Sequence, residues 1–154
     1  MPAPAFALRE NERRQMKRSR PLIALSHDHH QALDVARLLR RATPAALPAA
    51  LQRLHEYWEP AGRRHFDVEE QVLLDALPAT DAAWRSAAEH VRREHDDIRA
   101  RVEHVNDVSG AHELGTLLHD HVRFEERELF AMLVARLSEA ELASLGDRLD
   151  VADA

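Results

Sequence analysis

Cysteine is absent from the 154 residues, so disulfides, thiolate metal ligands and cysteine nucleophiles are excluded. That absence suits a reducing compartment, and a cytoplasmic location is expected. Glycine is scarce, at 4 residues, and aromatic residues make up only 5% of the chain. Alanine, leucine, arginine and glutamate dominate instead, a composition that leans helical. No stretch approaches the ~20 consecutive apolar residues of a membrane span. The opening residues, MPAPAFALRENERRQMKRSRP, lack the apolar core of a secretory signal. No membrane association is expected, and no stretch alternates apolar and polar residues as a half-buried strand would.

The formal charge is -6, unevenly spread. Residues 1–20 carry six bases against Glu10 and Glu12, so this arm is +4 and the remainder -10. A solvated basic arm followed by one acidic domain over 21–150 is expected, with cations rather than nucleic acid as partners of the acidic body.

Proline and glycine divide the rest into segments of helical period. Segment A runs from about Pro21 to Ala42 and B from about Ala46 to Leu77, with Pro60 expected to kink or split it. Segment C follows an N-cap at Thr80 or Asp81 and reaches about Val108. Ser109 and Gly110 are expected to turn the chain into D, about 111–136. Ser138 and Glu141 form an S-x-x-E capping box for a short helix E ending near Leu149. Four long amphipathic helices joined by short loops bury their stripes only against one another. The fold class is therefore all-α, an up-down-up-down four-helix bundle with a short C-terminal helix.

The apolar stripes sort the 11 histidines. On B the stripe Leu51, Leu54, Trp58, Ala61, Val72, Ala76 is interrupted by His65 and Glu69, and on D the stripe Leu114, Leu118, Leu129, Met132 is interrupted by His121 and Glu125. On C, His95 falls between Val91 and Ile98. On A, His29 falls between Leu25 and Ala32, with His30 one position round the helix as its competitor. The stripes on B and D contain no lysine or arginine. An uncompensated buried carboxylate costs several kcal/mol, so imidazoles and carboxylates converging in this way require cations between them. Asp28, Glu94 and Asp120, each preceding an inward histidine, are expected to face solvent, with orientation of the imidazoles as the alternative. Tyr57, the one tyrosine, is expected to pack, with an electron relay as the alternative.

Nitrogen and oxygen donors without sulfur suit iron, manganese or zinc. Four histidines and two glutamates exceed one tetrahedral zinc site and fit two ions, each taking two histidines, bridged by Glu69 and Glu125 and by an oxygen, with open positions for a small oxidant or gas. HFDVEE at 65–70 and HVRFEE at 121–126 repeat, and His29 to His95 spans 66 residues where His65 to His121 spans 56. The chain thus looks like two duplicated helical hairpins.

The inward histidine on A, H-x-x-x-E on B, the Glu94–His95 pair on C and H-x-x-x-E on D resemble the hemerythrin-like, or HHE cation-binding, domains over about residues 21–136. The resemblance implies a non-haem di-iron centre, with an Fe–O–Fe or Fe–OH–Fe bridge, held by His29, His65, Glu69, His95, His121 and Glu125. Oxygen-carrying hemerythrins have a second histidine where this chain has Val91, and H-x-x-x-x-D where it has Glu126, a further candidate ligand. These departures point to the members with four histidines and two glutamates, whose proposed roles include oxygen or nitric oxide sensing, iron handling and repair. The expected function is binding of dioxygen, nitric oxide or peroxide, or iron sensing. A di-iron enzyme acting on peroxide or ferrous iron and a metal-responsive regulatory module are the alternatives.

Overall fold

The computed structural model describes residues 20–153. The basic arm, Arg20 apart, lies outside the described residues. Among them there are helices and no strands, in an up-down-up-down bundle closed by a fifth helix.

Helix α1, Ile23–Arg40, follows a 3-10 turn at Arg20–Leu22 and buries Leu25, His29, Ala32, Val35, Ala36 and Leu39 at intervals of three and four. The linker ends where Pro48 enters the first turn of α2, a position where a missing N–H costs nothing. Helix α2 covers 47–73 without a break, as α-helix over Leu47–Tyr57 and Arg63–Val68 and π-helix over Trp58–Gly62 and Glu69–Leu73. Pro60 therefore does not split the segment. The chain winds more widely there, and Arg63 N–H donates to Trp58 O, five residues back, so the helix continues past a residue that has no N–H to give. It stops at Leu73, earlier than Leu77.

Helix α3, Ala82–His104, is capped by Asp81, whose Oδ1 accepts from Trp84 N at 3.0 Å. Its end comes at His104, because Val105 turns extended and Asp107 caps the next helix by accepting from Gly110 N at 2.7 Å. Ser109 and Gly110 accordingly lie inside the first turn of α4 rather than between helices. The aspartate three residues ahead of Gly110 is the stronger start signal. Helix α4 covers 108–136 as Val108–Phe124, a π-helical stretch Glu125–Leu129, and Phe130–Arg136. Helix α5, Glu139–Asp153, opens on the expected capping box: Ser138 N donates to Glu141 Oε2 at 2.7 Å and Glu141 N to Ser138 Oγ at 3.1 Å. It continues one turn past Leu149.

Two apolar clusters fill the bundle. One, around Leu22, Leu73, Trp84, Leu129 and Leu133, includes Leu142, Leu145 and Leu149 of α5. The other gathers Leu39, Leu54, Phe66, Ile98, Leu114 and Leu118. Each fully buried leucine contributes about 1.5–3 kcal/mol. Gly115 lets α1 and α4 approach closely, since a Cβ there would stand 2.7 Å from Ala36 O and 2.9 Å from Arg40 N. Among the described residues, no helix is long and apolar enough to cross a membrane.

Candidate metal centre

The buried polar and charged side chains among the described residues are His29, His65, Glu69, His95, His121 and Glu125. All six are drawn from the apolar stripes, and the bundle brings them together. His30, the competitor of His29, is exposed and meets His27 edge-on at 6.3 Å between ring centroids.

Each glutamate faces two imidazoles closely. His65 Nε2 lies 2.5 Å from Glu69 Oε1, and His95 Nε2 lies 3.0 Å from Glu69 Oε2. In the second repeat His121 Nε2 lies 3.0 Å from Glu125 Oε1, and His29 Nε2 lies 2.9 Å from Glu125 Oε2. The longer contacts match too, with His29 to Glu69 at 3.5 Å and His95 to Glu125 at 3.6 Å. One oxygen of each carboxylate therefore points at the His29/His65 pair and the other at the His95/His121 pair.

Although close, these inward atoms are not aligned as donor and acceptor. The four Nε2 atoms and the four carboxylate oxygens all lack a hydrogen-bond partner. Lone pairs aimed at a common centre in a dry core are costly unless a cation receives them. Two sets of donor atoms, each within 4.8 Å of one another, share the glutamates: His29, His65, Glu69 and Glu125, and Glu69, His95, His121 and Glu125. The donor chemistry fits a pair of ions with bridging carboxylates. Both glutamates are the first residues of π-helical stretches, Glu69–Leu73 and Glu125–Leu129. The extra residue in such a turn re-aims the side chains around it, which places Glu69 inward while Glu70 reaches a neighbouring helix.

The outward nitrogens are all held by carboxylates. Asp28 on α1 accepts from His65 Nδ1 on α2 at 3.0 Å, and Glu70 on α2 from His95 Nδ1 on α3 at 2.8 Å. Glu94 on α3 accepts from His121 Nδ1 on α4 at 2.7 Å, and Glu126 on α4 from His29 Nδ1 on α1 at 3.2 Å. The contacts close into a ring around the bundle, each made by the residue next to one of the six buried groups. Such bonds leave every Nε2 lone pair facing inward and raise the basicity of the imidazole. Asp28 and Glu94 are thus not free solvent-facing charges, because the neighbouring helix supplies a histidine within reach. Asp120 does face solvent, beside His119. Glu126 is placed in the outer ring rather than among the inward groups.

Burial alone would lower the His95 imidazole, but the adjoining Glu125, Glu69 and Glu70 outweigh it and hold its pKa up at about 11. Burial opposes the charge of His65 likewise, and Glu69 and Asp28 raise it to about 9. His29 and His121 are raised against burial by Glu125 and their outer carboxylates. Burial and Glu125 push Glu69 up, yet His65 and His29 bring it down to about 2. Without metal, protons take the cation's place on the inward nitrogens and the carboxylates keep their charge.

Phe66 stacks on His95 at 3.9 Å between centroids and 7° between planes, and Phe130 on His29 at 5.6 Å and 9°. Phe124, one residue before Glu125 and so about 100° round the helix, lies against His90 at 4.2 Å. Tyr57 is buried, and burial together with the charges of Glu69, Asp28 and Glu125 pushes its pKa up, so the phenol keeps its proton. A recess of about 10 Å³ walled by Val68, Leu149 and Asp153 reaches Asp28 and His65. A groove of about 800 Å³ between Arg20–Ala24 and α5 includes none of these residues.

Comparison with curated proteins and with solved structures finds no significant match. The family model described as the hemerythrin HHE cation binding domain matches residues 20–133, which include all six buried polar groups and the four outer carboxylates. The chain belongs to the hemerythrin HHE cation-binding family.

Proposed function

We propose that Glu69 and Glu125 bridge two iron ions, one also held by His29 and His65 and the other by His95 and His121, and that the centre binds a small gas or oxidant such as dioxygen, nitric oxide or peroxide. The observation that carries this reading is the set of eight buried, unpaired donor atoms that divide into two groups sharing both carboxylates. The protein gives each ion two nitrogens and two oxygens, fewer donors than iron accepts, so coordination positions remain for a ligand. Bound iron supplies a redox-active Lewis acid there.

The chain's own residues limit what reaches the site. Phe66 and Phe130 wall it with apolar surface. A recess of about 10 Å³, at the lower limit for a single water, reaches His65 from the side of α5. The outer carboxylates hold the imidazoles in place and keep their Nε2 atoms available. Reconstitution with iron tests the reading: two irons per chain and a visible charge-transfer spectrum altered by dioxygen, azide or nitric oxide are expected. A colourless protein holding one zinc contradicts it. Following peroxide loss in the same sample separates ligand binding from turnover.

A further inference from the structure

The two halves of the centre present the same donors inside but differ in what surrounds them. Glu70, which holds His95, also receives a fork from Arg99, with Nη1 2.8 Å from Oε1 and Nη2 3.2 Å from Oε2. Arg99 is 28% exposed, is braced on Asp67 at 3.1 Å, and lies over the Phe66 ring that stacks on His95. The repeat that relates His95 to His29 relates Arg99 to Leu33, so Glu126, which holds His29, has no such fork. Besides His29, its one ion pair among the described residues is with Nη1 of the more exposed Arg123, at 3.5 Å. The same repeat relates His90, 3.1 Å from Glu94, to Ala24, and among the described residues Asp28 has no ion-pair partner besides His65.

A carboxylate that accepts from Nδ1–H pushes electron density onto the metal-facing nitrogen. A guanidinium drawing on the same oxygen weakens that push, and its charge also repels a cation nearby. Both outer carboxylates of the His95/His121 half have a second partner, while among the described residues the His29/His65 half has only the long Arg123 contact.

We infer that the two half-sites are unequal in affinity, the His29/His65 half taking its ion first and more tightly, with Arg99 as the positioning residue that weakens the other half. The inference rests on the two-ion reading above. Titration of cobalt(II) into metal-free full-length protein tests it. His121→Gln retains the His29/His65 half and is expected to bind one cobalt about tenfold more tightly than His65→Gln, which retains the other. Adding Arg99→Gln to His65→Gln is expected to tighten the remaining site, a gain that loss of a merely structural contact does not produce. If the histidine variants fail to fold, the wild-type background decides. There Arg99→Gln strengthens the second binding step and Arg99→Lys restores it towards the wild-type value. Equal half-sites, the reverse order, or an Arg99→Gln variant that only weakens binding overturn the inference while leaving two-ion binding in place. A wild-type protein that takes up no cobalt overturns the metal centre and the loading order together.

Discussion

Glu69 and Glu70 are neighbours with different tasks, and substitution separates them. Glu69 turns both oxygens to imidazole nitrogens in the core, whereas Glu70 spans outward between His95 and Arg99. Glu69→Gln is expected to remove a bridge and lower the metal content from two ions per chain to one or none by elemental analysis. Glu70→Gln is expected to keep two ions but bind the weaker one about 10–100-fold less tightly in a metal titration. The six inward residues were legible in the sequence because an apolar stripe makes a polar intruder conspicuous. The choice between His29 and His30 was not, since adjacent residues differ by only about 100° round a helix. Which histidine each outer carboxylate holds was also hidden, since Asp28, Glu70, Glu94 and Glu126 each act on a histidine of another helix. Arg99, four residues after His95, carried no signal for the same reason, since it acts on Glu70 of another helix.

Between α1 and α4 the spacing of helices rests on Gly115. Gly115→Ala gains up to about 1 kcal/mol in helix propensity. The new Cβ meets backbone atoms of Ala36 and Arg40, which cannot swing aside, so a net loss of about 1–3 kcal/mol in denaturant unfolding is expected. Because His29 on α1 faces Glu125 and Glu126 on α4, the same variant is expected to weaken metal binding. Helix existence and order followed from periodicity, and the capping box at Ser138 and Glu141 set the start of α5. Boundaries were less legible. Asp107 displaced Ser109 and Gly110 as the turn, and Pro60 was absorbed by a π-helical stretch. A pattern read at 3.6 residues per turn does not register one extra residue, so the π turns beginning at Glu69 and Glu125 were invisible although both centre on the site.

For the molecule as a whole, the buried charges divide the core into two apolar clusters and tie stability to protons and metal. In the metal-free protein His65 is raised to about 9 and His95 to about 11, above the ~6.5 of an unfolded histidine. Their contribution to stability is fully present below about pH 6.5 and is lost as pH rises through the folded values. Glu69, lowered to about 2, contributes above about pH 4.5 and loses that contribution as pH falls towards 2. Metal-free protein is therefore expected to lose stability from pH 6.5 to 9 in chemical denaturation. Metal-loaded protein, whose imidazoles are already deprotonated, is expected to hold its stability over that range. Metal uptake at pH 7 should release protons, seen as heats that depend on the buffer's ionisation enthalpy. The central claim is that the buried glutamates exist to bridge two cations, and anomalous diffraction from iron-loaded crystals tests it most directly. Two peaks about 3.5–4 Å apart, between Glu69 and Glu125, are the expected result; a single peak, or peaks away from those carboxylates, would contradict it.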